Sequence, residues 1–180
     1  MNDLILIAIK EEAPNLGHMM NVFYTGVGKV NAAITAAQVI ERYRPDRVIN
    51  LGTAGGIRVG TGLYECTSFV QRDIACQALG FHPGQTPFED DIVLTTGRPG
   101  VICSTGDDFV MNPELDIPAD LVDMEAYAIA KFCLRNRVEF RCFKYITDQA
   151  DHAAHTTWQD AVSQGEPFFI AKLHELGVTI

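Results

Sequence analysis

Positive charge is scarce in this 180-residue chain. Lys and Arg number 14 against 23 Asp and Glu, a formal net charge of −9. A surface of that sign repels a phosphate backbone, which argues against nucleic acid as a partner. Long apolar runs are also missing. The stretch Leu4–Ile9 is far short of the roughly 20 residues that cross a bilayer, and no basic segment precedes it. It reads as a buried strand, so no membrane partner is expected. The five cysteines (Cys66, Cys76, Cys103, Cys133 and Cys142) are odd in number, scattered and never in a C-x-x-C pair. That excludes a disulfide framework and a zinc ribbon, and leaves reduced, buried thiols of a cytoplasmic protein as the expectation. Neither the dinucleotide fingerprint G-x-G-x-x-G nor the Walker P-loop occurs, and there is no G-x-S-x-G elbow.

What is present suits one globular domain spanning residues 1–180, with 47% hydrophobic and 21% charged residues. Strands and helices alternate without repeat or linker, which predicts an α/β layer fold. Strands are expected at Leu4–Ile9, Asn21–Thr25, Arg47–Leu51, Leu63–Gln71, Ile92–Thr95, Gly100–Ser104 and Glu139–Thr147. A helix is predicted over Lys29–Arg44, stopped by Pro45, with Val30, Ala33, Ile34, Ala37 and Ile40 as its apolar face. A second helix is predicted over Met124–Asn136. The C-terminal segment reads as helical from Thr157, broken near Gly165-Glu166-Pro167. Gly52-Thr53-Ala54-Gly55-Gly56 reads as a turn after a strand, and Arg42–Arg47 as a solvated helix end.

Three acidic residues sit at strand or loop ends, where α/β sheets bind ligands: Glu12, Glu125 and Asp148. Two glycine clusters, Gly26-Val27-Gly28 and Gly52–Gly56, could let backbone approach a ligand closely. Such a set suits cleavage of a glycosidic bond. The leaving base needs an acid, the developing sugar cation needs a carboxylate, and the attacking water needs a base. His152 and His155 lie near Asp148 and Asp151, but a zinc site wants three or four converging ligands, and no metal is expected. Asp107-Asp108 reads as a turn cap.

The sequence resembles the nucleoside phosphorylase/nucleosidase superfamily, and most of all its methylthioadenosine/S-adenosylhomocysteine nucleosidases. Six blocks carry the likeness, in the family's order and over most of the chain: Glu11-Glu12, Thr25–Ala33, Val48–Gly56, Ser104–Val110, Val122–Ala130 and Ile146–Asp151. The resemblance implies a single-domain three-layer α/β/α fold with a mixed central sheet. It also implies Asp148 as the acid at purine N7 and Glu12 as the base for water. Met124 and Glu125 become ribose contacts, Phe109 the ring stacked on the purine, and Val110 a backbone partner of the base edge. Val27 and Thr53 would line the pocket. Trp158 would lie near the base and the 5′ side, although a lone Trp at helical spacing also suits a core.

No cofactor is implied. The partners implied are a purine nucleoside, water and a second copy of the chain in a homodimer. The family's phosphorylases carry Arg where this chain has Asn50, and Glu12 can activate water; both favour hydrolysis over phosphorolysis. Readings left beside it are a nucleosidase for another purine nucleoside, a phosphorylase, and a silent purine-binding protein. The chain departs from the family in two ways. It is shortened before Gly26 and between Pro87 and Val101, and it has Lys144 where an Arg is usual.

Overall fold

The computed structural model describes residues 2–112, 114–151 and 154–179. One mixed sheet of eight strands organises it. Its strands are β1 (Asp3–Ile7), β2 (Val22–Tyr24), β3 (Arg47–Gly56), β4 (Leu63–Gln71), β5 (Leu94–Thr95), β6 (Val101–Thr105), β7 (Leu121–Asp123) and β8 (Glu139–Asp148). The helices are α1 (Lys29–Tyr43), α2 (Ala126–Arg135), α3 (Ala154–Ala161) and α4 (Glu166–Glu175). β1 pairs in parallel with β2 and β3. Beyond them the sheet closes on itself: β3 pairs with β8, β8 with β4, β4 with β6, β6 with β7, and β7 returns to the end of β3.

Apolar residues on the two faces account for the layers. On one face α1 and α2 cover Leu4, Leu6, Val48, Phe69 and Phe140. On the other, Phe169 and Leu173 of α4 pack on Ile5, Ile7, Ile49, Leu51 and Phe143. The architecture is the expected three-layer α/β/α arrangement around a mixed sheet.

The details depart from the sequence reading at four places. The buried face of α1 is Ala32, Ala36, Val39 and Ile40, while Val30 and Ile34 are 67% and 51% exposed. Residues two apart on a helix point about 200° apart, so Ala32 and Ala36 face away from Val30 and Ile34, and the buried face is turned from the predicted stripe and shares only Ile40 with it. Gly52–Gly56 is not a turn: β3 runs on to Gly56, with a register shift between Ala54 and Gly55. Arg47 is not solvated either. It is buried, and its guanidinium donates twice to Asp3, at 2.8 Å each, and once to the Leu176 carbonyl. β7 is an unpredicted strand, too short for its alternation to be seen.

Candidate active site

A cavity of about 210 Å3 opens where the ends of β1, β3, β7 and β8 meet. Glu12, Val27, Thr53, Phe109, Val110, Met124, Glu125, Asp148 and Trp158 all line it. The nine residues to which the resemblance gives a place in the site are therefore brought together. Ala8, Ile9, Arg72, Asp108 and Asp123 join them.

Glu12 ends a short 3-10 turn (Lys10–Glu12) after β1 and is 4% exposed. Its Oε1 accepts from the Thr53 amide at 2.6 Å and the Thr53 hydroxyl at 2.7 Å. Oε2 has a longer bond from the Ile9 amide, 3.4 Å. The glycines of β3 serve this approach: a Cβ on Gly52 would lie 3.2 Å from Glu12 Oε1 and 3.1 Å from Lys144 Nζ. Close passage of side chains, not turn geometry, is what these glycines permit.

Asp148 ends β8. Its Oδ1 accepts from the Ala150 amide and its Oδ2 from the Thr147 hydroxyl, both at 2.9 Å. Ala150 adopts φ +51, in the left-handed region, which turns its N–H back onto the carboxylate. Burial raises the Asp148 pKa above the usual aspartate value; the Ala150 and Thr147 bonds oppose it, and Asp151 reinforces it. A carboxyl shifted this way holds a proton more readily than an ordinary one.

Glu125 lies just before α2, and its Oε1 accepts from the Gly28 amide at 2.9 Å. Burial, followed by the neighbouring Asp123 charge, raises its pKa to about 7, against the opposing pull of Lys144 and the Gly28 N–H. Beneath it lies a buried ion pair absent from the sequence-derived site. Lys144 Nζ stands 2.8 Å from Asp123 Oδ2, with side chains 2% and 0% exposed. Burial would raise the Asp123 carboxyl, but the Lys144 ammonium and hydrogen bonds from Lys144, Thr105 and Ala126 hold it below the usual range. Asp123 also accepts from the Glu125 amide at 3.3 Å, so it fixes the backbone that carries the Glu125 carboxylate.

The cations near the cavity are committed. Arg72 donates to the carbonyls of Ser104, Asp123, Gly106 and Asp108, and its Nε lies 3.2 Å from Asp108 Oδ1. Lys29 Nζ bonds Asp73 at 2.5 Å. At the N-terminus of α1 the Gly28 amide goes to Glu125 and the Lys29 amide to Asp107 Oδ1, 2.7 Å. The predicted turn-capping pair is thus divided: Asp107 caps a helix distant in sequence, and Asp108 pairs with Arg72. Asn50, the position compared with the phosphorylases, is buried inside the sheet and donates to the Leu6 carbonyl at 3.0 Å.

Phe109 and Val27 are 44% and 46% exposed at the cavity mouth. Trp158 on α3 donates from Nε1 to the Thr53 hydroxyl at 3.1 Å. His152 lies outside the described residues, as does the side chain of His155. Among the described residues no group of three or more His, Cys, Asp or Glu is placed to hold a metal.

The sequence model of the phosphorylase superfamily matches residues 12–96 and 73–176. The chain belongs to that superfamily. Within it, the chain falls among the 5′-methylthioadenosine/S-adenosylhomocysteine nucleosidases. One of Actinobacillus succinogenes is 33% identical over 80% of this chain and 74% of its own length. One of Exiguobacterium is 32% identical over 81% and 74%. The fold agrees with that placement: the nucleosidase of Helicobacter pylori solved with butyl-thio-DADMe-Immucillin-A superposes with a TM-score of 0.85 at 21% identity, over 97% of this chain and 99% of that one. Futalosine hydrolase of the same organism shares the fold equally well, with a TM-score of 0.85 at 21% identity over 96% and 97%.

Arg72, Asp123 and Asp108 were missed as cavity residues. Asp123 lies in the Val122–Ala130 segment, two residues before Glu125, but strand alternation cannot announce a carboxylate that points into a ring of strands. Arg72 gave no signal, because four of its partners are backbone carbonyls and its one carboxylate, Asp108, lies 36 positions away.

Proposed function

We propose that the chain is a nucleosidase that hydrolyses the N-glycosidic bond of a purine nucleoside, with 5′-methylthioadenosine and S-adenosylhomocysteine as substrates and adenine as product. The observation that carries this reading is the convergence of Glu12, Glu125 and Asp148 on one cavity whose neighbouring cations are already paired. Asp148, with its raised pKa, protonates the purine at N7 and so makes the base a neutral leaving group. Glu125, ionised, holds the ribose hydroxyls and faces the positive charge that grows on the sugar. Glu12 takes the proton of the attacking water. Phe109 stacks on the purine, Val110 meets the base edge through its backbone, and Met124, Val27 and Thr53 shape the ribose side.

Water is favoured over phosphate as nucleophile on electrostatic grounds. A phosphate needs free donors, and helix N-termini commonly supply them. Here the first amides of α1 are filled by the chain's own carboxylates, and the Arg72 guanidinium is engaged by backbone carbonyls and the Asp108 carboxylate. An anion would meet Glu125 and Asp107 instead of a cradle.

The chain works as a homodimer. Val27, Val30 and Ile34 form an exposed apolar stripe on and just before α1, and Val27 also lines the cavity, so a second copy seated there would reach the mouth of the site. Five free cysteines support a reducing, cytoplasmic setting. The test of the activity is release of adenine from 5′-methylthioadenosine by the purified protein, with and without inorganic phosphate. Equal release in both supports the reading; release only with phosphate, or none from either named substrate, overturns it.

A further inference from the structure

We propose that Trp158 is a positioning residue: its indole N–H fixes the Thr53 hydroxyl and, through it, the Glu12 carboxylate. The proposal rests on the reading of Glu12 as the base for water. An indole nitrogen can only donate, whereas a threonine hydroxyl has one proton and two acceptor positions. At 3.1 Å, Trp158 Nε1 therefore occupies an acceptor position of Thr53 Oγ1, and the hydroxyl proton is directed along the 2.7 Å contact to Glu12 Oε1.

The Thr53 amide adds a second bond to that same oxygen at 2.6 Å. Oε1 is thus saturated by neutral donors, and Oε2, with only the 3.4 Å contact from Ile9, is the oxygen left for the water's proton. The chain of bonds joins two segments far apart in sequence. α3 begins six residues after Asp148, so the helix that follows the proton donor is tied to the base across the cavity. Trp158 acts on Glu12 through Thr53 and takes no proton itself.

Trp158→Phe keeps an aromatic ring at the cavity and removes the donor. Steady-state adenine release is expected to lose about 3- to 10-fold in kcat, the worth of one neutral hydrogen bond, with KM altered less than about twofold. Combined with Thr53→Val, the loss should not exceed that of Thr53→Val alone, because both changes cut one chain of bonds. Trp158 is the only tryptophan in the sequence. Biosynthetic replacement by benzothienylalanine, in which sulfur stands for the N–H, therefore repeats the test without a change of ring size and should give the same loss.

Glu12→Gln is measured alongside. If that variant keeps near-normal turnover, the reading of Glu12 itself fails. If it is inactive while both Trp158 replacements keep full kcat, change KM alone, or add independently to Thr53→Val, the positioning role is overturned and Trp158 is a substrate contact.

Discussion

Replacing Lys144 by Met should cost far more than a surface ion pair would. The ammonium and the Asp123 carboxylate are almost wholly buried and 2.8 Å apart. Removing one member of a buried pair leaves the other charged without a partner, at a typical cost of about 3–5 kcal/mol. For a chain of this size that corresponds to a fall of roughly 6–20 °C in thermal midpoint.

The sign of the pH dependence distinguishes this mechanism from simple loss of packing. In the parent, Asp123 is held below its ordinary pKa, so its stabilising contribution is present above the usual carboxylate range and lost as pH falls through the depressed value. Lys144 is held well above its ordinary value, because Asp123 outweighs the opposing effect of burial; its contribution lasts until pH rises through that raised value. In Lys144→Met the desolvation of Asp123 is unopposed by the ammonium, and protonation relieves it. The deficit relative to the parent should therefore shrink on going from pH 8 to pH 5, and adding Asp123→Asn should recover much of it at pH 8. Denaturant or thermal unfolding of the three proteins at both pH values reads this directly. A loss under about 1 kcal/mol at both, or a deficit that grows on acidification, refutes the argument.

Asp148→Asn should cut adenine release by about 10²–10⁴-fold with little change in unfolding midpoint, measured by a discontinuous base-release assay. The rate should fall on the acid side with a midpoint near the Glu125 pKa of about 7, because protonation removes the charge that faces the sugar; Glu125→Gln should be slow throughout and lack that limb. Loss of the limb in the Asp148 variant instead would reassign it. Gly55→Ala places a Cβ 2.9 Å from Asp148 Oδ1, and should lower kcat by displacing that carboxylate. Val30→Glu with Ile34→Glu should leave the α1 core face intact and shift sedimentation to a single chain's mass; an unchanged assembly would place the interface elsewhere.

The order of layers was legible because Leu4–Ile7 is a continuous apolar run and Val48–Leu51 is apolar but for Asn50, as buried strands are. The site was legible through residues whose type the chemistry demands: Glu12, Glu125 and Asp148 at element ends. What escaped depends on neighbours remote in sequence. α1 carries alanines and β-branched residues on adjoining stripes, so its hydrophobic pattern alone does not tell which of them turns inward. Arg47 looked solvated because Asp3, its partner, lies 44 positions away. Lys144 and Asp123 are ordinary charged residues in a sequence; only the closure of the strands makes them a buried couple.

That closure divides what can vary from what cannot. Thr53, which bonds the Glu12 carboxylate, Asp123, which accepts from the Glu125 amide, and Asp148, the proposed proton donor, all stand on β3, β7 and β8, and these strands belong to one circuit of hydrogen bonds. Their spacing is a dimension of the circuit, as the gap between jaws is a dimension of a rigid vice. Phe109 and Val110 hang on the segment after β6, outside that circuit. Substrate range can therefore drift by change in this outlying piece while the groups on the circuit keep their distances.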